Sequence, residues 1–514
     1  MVGARERARA RLRILQIYSS SFGVFKHPKG MTNFCSAAAV APIVSEFGSL
    51  ALGDTRLHER VCHVVSRLHA APAASFPQAL KTKAELEGFY RLVGHARITY
   101  PALMQPHVEQ TVGRCSERGT VRAIHDTTEV AFATEGAREG LGPLGAGRQS
   151  KGFFAHVTLA SEADEGNSPL GVLATACFAR PPQPRRKGKK KLSGGEYARL
   201  SDKESERWLQ QVQAAEKAVE GKASLVHIMD READFYTLLS TMAENQYRFV
   251  VRLAHDRLLC EVDEDGAPLD DEGRMALSEA LLDAPVELER QVPLSRRRAA
   301  SAPRSQRSHP ERTARSARLG ISARAVVFRR PRYATDMPET LAVNIVYVRE
   351  LNCPEGEDPV AWVLVTTEPI DTPAQLAAVL DHYRARWLIE EFFKALKTGC
   401  ALEKRQLESF HSLTNALALF LPIAWQMLLL RSLSRLTPDA PAERVLNPTQ
   451  VALLRHTQPK KMKEGATIRD ALYAIAGLGG HLTQNGPPGW QTLGRGMEEL
   501  LRMELGWAAA IANA

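Results

Sequence analysis

Tyr383-Arg384-Ala385-Arg386-Trp387-Leu388-Ile389-Glu390-Glu391-Phe392-Phe393-Lys394-Ala395-Leu396-Lys397 is the most informative stretch of this chain. At about 100° per residue, Tyr383, Arg386, Glu390, Lys394 and Lys397 fall within an arc of roughly 80° on one helix. Leu388, Ile389, Phe392 and Leu396 take the opposite side, with Phe393 at its border, so the helix is amphipathic and docks by its apolar stripe. A surface helix with an Arg386-Glu390-Lys394 ladder at i,i+4 spacing has the same pattern. The stretch therefore gains its meaning from the company it keeps.

That company is two aspartates, Asp126 in His125-Asp126-Thr127-Thr128-Glu129 and Asp230 in Met229-Asp230-Arg231-Glu232-Ala233-Asp234. Each follows a short apolar run that reads as a strand, 121–125 and 225–229. Around them, strands at 156–160, 172–178 and 248–252 alternate with helices at 203–219 and 234–243. Such alternation predicts an α/β sheet with both aspartates at strand carboxyl ends, where open sheets place their sites. Either aspartate can also serve merely as a turn or helix cap. Taken with Glu390, they make three carboxylates that repel one another unless cations neutralise them, and hard oxygen donors favour magnesium or manganese over zinc.

The chain has 514 residues, enough for three or four structural units, and 67 Lys plus Arg against 58 Asp plus Glu give a net charge of +9. With a pI near 9.2, nucleic acid leads the acidic partners it can take. Hydrophobic content of 44% and charged content of 24% fit a globular protein rather than a fibrous or disordered one. Seven scattered cysteines without a CxxC pair exclude a zinc clamp or redox couple. The most apolar window, 416–430, carries Pro422 and Gln426 and reads as a buried core helix rather than a membrane span.

Residues 1–33, with an Arg-rich opening and a second methionine at Met31, read as a disordered extension outside the fold. Residues 34–115 show helical periodicity, at Leu57, Val61, Val64, Val65 and Leu68 and again at Leu86, Phe89, Tyr90 and Leu92. They make a small helical domain, expected to bind DNA on the resemblance given below, in which Arg56, Arg60, Lys81, Lys83 and Arg91 either meet phosphate or are an ordinary scatter of surface cations. The first part of the α/β core spans 116–254 and the second 361–437. Between them, 255–360 is a β-rich insertion, and within it residues 295–318 hold eight arginines against Glu311, a composition that predicts a mobile loop able to order on a phosphate backbone. A second basic run, 185–191, reads the same way. Residues 438–514 form a helical C-terminal domain.

The chain resembles the DDE transposases of the insertion-sequence-four family. The matching stretches are Ala51-Leu52-Gly53-Asp54, Asp126-Thr127-Thr128, Asp230-Arg231-Glu232-Ala233-Asp234, Arg248-Phe249-Val250-Val251-Arg252, Trp362 with residues 366–369, and a Tyr-x2-Arg-x3-Glu-x6-Lys pattern met by Tyr383, Arg386, Glu390 and Lys397. The resemblance implies an α/β ribonuclease-H-like catalytic core with a β-rich insertion, flanked by helical N- and C-terminal domains. It also implies that Asp126, Asp230 and Glu390 hold two Mg2+ ions, with Mn2+ as substitute, for phosphodiester exchange.

The same site would nick a transposon end, form a hairpin, reopen it and join the 3′ end to target DNA. Tyr383, Arg386, Lys394, Lys397 and Arg252 would contact the strand. Trp362 would stack on a flipped base, or else is simply buried in the strand 361–365; Ala254 replaces a basic residue of the family pattern. The implied partners are double-stranded DNA, as inverted-repeat ends and target, and a second copy of the chain in a homodimer, without a membrane and in the bacterial cytoplasm near the nucleoid. A nuclease of the same superfamily that cuts without joining, and a transposase-derived regulator, are the alternatives.

Overall fold

The structure is a computed structural model that describes residues 41–132, 138–144, 150–163, 166–181, 206–262, 275–294, 311–482, 484 and 486–512. The extension 1–33, the basic run 185–191 and the loop segment 295–310 lie outside the described residues.

Nine strands organise the molecule: β1 (Thr120–Phe132), β2 (Lys151–Glu162), β3 (Pro169–Phe178), β4 (Ser224–Met229), β5 (Arg248–Arg252), β6 (Leu288–Leu294), β7 (Arg315–Arg329), β8 (Thr340–Glu350) and β9 (Ala361–Thr366). They are the longer strands of one mixed sheet, twelve-stranded among the described residues, and follow the order β3-β2-β1-β4-β5-β9-β8-β7-β6, the other three strands having two residues each. Only β1–β4 and β4–β5 pair in parallel. These central strands are covered on both faces, which is why 225–229 and 248–252 read as nearly unbroken apolar runs.

Strand β1 runs six residues beyond its expected end at Asp126. Its whole length pairs with β2, down to Phe132↔Lys151, but its ladder with β4 stops at Ile124↔Ile228. Thr127, Thr128 and Glu129 hid the continuation because this half of the strand has a partner on one side only. Asp230 follows the end of β4, whereas Asp126 is mid-strand, at the level where the parallel neighbour departs.

The insertion does not stand apart from the core. Strand β9 pairs antiparallel with β5, Leu364↔Arg252 to Thr366↔Val250, and β8, β7 and β6 continue the same sheet. The expected loop 295–318 is also shorter than its composition suggested, because β7 begins at Arg315. Arg315 there is met by Glu350, Nε to Oε1 at 2.9 Å, and by Glu357, and Arg312 is buried. Carboxylates from strand β8 and its following turn turn self-repelling arginines into paired ones.

Residue parity separates two cores. Ile124, Val130, Val226, Ile228, Val250 and Leu364 face a large apolar cluster. Phe249, Val251, Val363 and Val365 face a second one with Trp208 and Tyr236. On the second side lie α4 (Glu206–Val219) and α5 (Tyr236–Glu244); earlier in the chain are α1 (Thr55–Ala70), α2 (Lys83–Gly94) and α3 (Tyr100–Ser116). The first cluster unites α1 and α2 with α6 (Pro373–Ala385), α7 (Trp387–Lys394), α8 (Phe410–Leu436), α9 (Pro448–Thr457), α10 (Ile468–Leu478) and α11 (Trp490–Ala512). The amino-terminal and carboxyl-terminal helices thus share one core with the sheet.

Helix ends follow their caps. Thr82 and Glu85 close a capping box on α2, and Thr372 and Gln375 do so on α6. Helix α8 has 27 residues and is apolar enough by composition to cross a membrane, but 94% of its apolar window is buried. It is the central core helix, longer than the 416–430 window implied.

Candidate active site

Parity and register bring the two aspartates together. Asp126 shares the face of Ile124, and Asp230 that of Ile228. Asp126 and Asp230 each lie two residues beyond the last Ile124↔Ile228 pair, near enough for the Asp230 charge to act on Asp126. Asp230 caps the following turn Arg231–Ala233, its Oδ1 accepting the Glu232 N–H at 2.8 Å. Asp126 Oδ1 accepts the Thr127 N–H at 2.8 Å, leaving Oδ2 toward the helices on that face.

The expected single helix over 383–397 is three consecutive pieces. Helix α6 ends at Ala385, α7 runs Trp387–Lys394, and a π turn occupies Ala395–Gly399. Every residue in the stretch tolerates a helix, so nothing in the sequence marks the breaks. Arg386 stands at the first junction and donates through Nη1 to Asp126 Oδ2 at 3.3 Å and through Nη2 to Glu390 Oε1. One guanidinium bridges the strand carboxylate and the helix carboxylate.

Burial pushes the Asp126 carboxyl up to about 7, and the neighbouring Asp230 and Glu390 charges add to this, against the pull of Arg386 and the Thr127 N–H. Burial opposes the charge on Arg386, but Tyr383, Asp126, Glu390 and Asp230 outweigh it and hold the guanidinium firmly protonated. Among the described residues, no three His, Cys, Asp or Glu side chains are drawn together tightly enough to hold a metal ion as they stand. The donor set nevertheless suits a hard divalent cation: it is all oxygen, largely buried and mutually repelling, and Arg386 now supplies the positive charge it requires.

The remaining expected residues divide. Tyr383 is buried, with its ring 5.6 Å from that of Trp362, so it does not share an exposed face with Glu390. Trp362 and Arg252 are each 5% exposed; for Trp362 the structure shows the buried strand residue, because β9 is covered on both faces. Arg252 hydrogen-bonds Tyr383, and Arg231 and Arg386 act on its charge, so three guanidiniums and a phenol line one side of the carboxylates. Sequence reading did not single out Arg231, although it follows Asp230 directly.

Lys394 keeps 45% of its side chain exposed while contacting Glu391 at 3.0 Å and the Trp387 ring at 4.5 Å. The π turn carries Lys397 round to the Glu129 carbonyl and to Glu403 at 3.4 Å. Arg56, Arg60, Lys81, Lys83 and Arg91 are all exposed, with Arg91 paired to Glu87 at 3.0 Å.

Two features beneath the site have no counterpart in the sequence reading. His125, His156 and His227 form a buried chain on the opposite face of the sheet. His125 Nε2 meets His227 Nδ1 at 2.8 Å, His227 Nε2 meets Glu216 at 2.9 Å, and His156 Nδ1 meets Thr127 at 2.9 Å. Burial lowers His156 to about 3 and His125 well below the usual range, the latter helped by its neighbouring histidines, so both are neutral struts across β1, β2 and β4. Asp234, the last residue of the Asp230 motif, is buried and accepts the N–H groups of Ala254 at 2.6 Å and His255 at 2.8 Å. It fixes the chain leaving β5.

Half-buried oxygen donors beside the parallel strands, with Arg386 between two of them, have the charge pattern that chemistry on an anionic strand uses. Comparison with known families gives the class its name. Residues 43–98 match the family described as Transposase DNA-binding, and residues 202–423 match that described as Transposase DDE domain. The chain carries a DNA-binding segment and a DDE transposase domain, and that domain implies a ribonuclease-H-like core. The second match spans Asp230 and Glu390; Asp126 lies before it and joins them through the sheet.

Proposed function

We propose that the chain is a cut-and-paste transposase of the insertion-sequence-four type, acting on inverted-repeat DNA ends as a homodimer in the bacterial cytoplasm. The observation that carries this reading is Arg386 bridging Asp126 and Glu390, with the charge of Asp230 felt at both Asp126 and Arg386. In this reading the three carboxylates would hold two divalent ions, Mg2+ or Mn2+, whose chemistry would be activation of the attacking oxygen and charge for the leaving one. Arg386, which contacts Asp126 and Glu390, would lie beside the scissile phosphate and bind it. Tyr383 orients Arg252 and Arg386 toward it, and Lys394 gives up Glu391 for a neighbouring phosphate.

Nicking, hairpin formation, reopening and joining then differ only in which oxygen attacks. Trp507 and Ile511 on α11, 52% and 62% exposed and one turn apart, offer an apolar stripe to the second copy.

The test uses DNA carrying the inverted repeats that flank the gene. Metal-dependent cleavage and joining of pre-cut ends are expected, with both lost in Glu390→Gln. Cleavage without joined products would leave a nuclease, and activity untouched by Glu390→Gln would end the catalytic reading.

A further inference from the structure

Glu391 follows Glu390 by about 100° around α7 and points into the protein. It is 8% exposed. Its Oε1 accepts from Lys394 Nζ at 3.0 Å and its Oε2 from Trp490 Nε1 at 3.2 Å. Arg431 of α8 approaches the same carboxylate at 3.6 Å while its guanidinium lies 4.5 Å from the Trp490 ring centroid. Trp490 opens α11 and is itself 7% exposed.

One turn further, α11 touches the same catalytic segment again. Gly494 lies against Gly399, the last residue of the π turn, so closely that a Cβ on Gly494 would stand 2.9 Å from the Gly399 carbonyl oxygen. A Cβ on Gly399 would in turn stand 2.8 Å from Met427 of α8. The segment that bears Glu390 is therefore gripped at Glu391 and at Gly399 by one helix, and backed there by another.

We infer that the first turns of α11 are a brace for the catalytic glutamate, with Trp490 and Glu391 as positioning residues that set the roll of α7. This rests on the reading of Glu390 as catalytic. With side chains reaching about 5–6 Å from a helix axis, a roll of about 10° moves the Glu390 carboxylate by about 1 Å, a misplacement that can cost about 100-fold in rate. A roll of this size would also carry Glu391 away from Trp490, so the two adjacent glutamates are coupled: one anchors, the other is aimed. The C-terminal helix, 99 residues away in sequence at this contact, thereby governs a site it does not enter.

The test compares full-length Trp490→Phe, which keeps a ring over Arg431 but removes the N–H, with Glu391→Ala and with Glu391→Gln, which still accepts from Trp490. Amide hydrogen exchange of the metal-free proteins is read over residues 387–399 and over β1 and β2. Mn2+ binding is read by calorimetry, and end cleavage and end binding on the inverted-repeat DNA. Trp490→Phe and Glu391→Ala are expected to speed exchange at 387–399 about tenfold without changing β1 and β2. They should weaken Mn2+ binding and slow cleavage about 10- to 100-fold, with DNA affinity unchanged in Trp490→Phe, which leaves Lys394 and Glu391 paired, while Glu391→Gln recovers most of the loss.

Unchanged exchange at 387–399 in Trp490→Phe, or a loss that spreads equally to β1, β2 and DNA binding, would overturn the brace. A wild-type protein that cuts no DNA would instead count against the transposase reading, and the exchange and Mn2+ data would still decide on α11.

Discussion

Asp126 gives the sharpest test of the site, because its burial beside two other carboxylates makes it a stability liability in the metal-free protein. Its carboxyl, 17% exposed, is raised from 3.8 to about 7. Between those values the folded protein holds a proton that the unfolded chain has released, so stability falls as pH rises. The contribution is complete below pH 3.8 and gone above about pH 7. A window of about three pH units at 1.36 kcal/mol each corresponds to roughly 4 kcal/mol.

Asp126→Asn mimics the protonated acid at every pH, so subtracting its stability removes the titration of all other carboxylates. Urea unfolding in EDTA from pH 4 to 8 should show wild type losing roughly 4 kcal/mol relative to Asp126→Asn across this range. Coordination needs the ionised acid, so Mn2+ binding at pH 6 should release a proton from wild type, seen as a buffer-dependent heat that Asp126→Asn lacks. Parallel stability curves for the two proteins would refute the assignment of Asp126 to a buried, cation-requiring cluster.

Three further outcomes are expected. Arg405 is 3% exposed, donates to the carbonyls of Pro72, Ala74 and Cys400, and lies 4.6 Å from the Phe420 ring; Arg405→Ala should cost about 3–5 kcal/mol by denaturant titration, since three buried acceptors lose their donor, and a loss under about 1 kcal/mol would refute this. Trp362→Ala should cost a similar 3–5 kcal/mol or so and depress nicking and hairpin formation together; selective loss of hairpins at unchanged stability would return the ring to the DNA. Lys394→Ala should lower the slope of log affinity against log salt by about 1, measured by anisotropy on end DNA, whereas an unchanged slope would leave Lys394 merely a partner of Glu391.

What could be read in advance was what local chemistry encodes. Strand 248–252 is found with the expected ends because Phe249, Val250 and Val251 are buried on alternate faces of a central strand. The three carboxylates were proposed from strand ends and helix phase, and in the structure Asp126 and Glu390 share Arg386. What escaped was set by distant partners. Thr127 and Thr128 continue a strand because β2 pairs with them, and Arg315 enters one because Glu350 and Glu357 wait opposite. The break at Arg386 serves contacts to Asp126, 260 residues earlier, and the burial of Trp362 depends on cores on both sides of β9.

The same long span bears on the birth of the protein. Strands β1 and β4 leave the ribosome well before α6 and α7, and the insertion must be made in between. At roughly 5–20 residues per second, the 260 residues from Asp126 to Arg386 take on the order of 13–50 s to synthesise. Throughout that interval a nascent chain holds Asp126, later joined by Asp230, with neither the glutamate nor the arginine that complete the proposed site. An unfinished or prematurely terminated polypeptide therefore lacks part of the proposed site, which is complete only in the last quarter of translation.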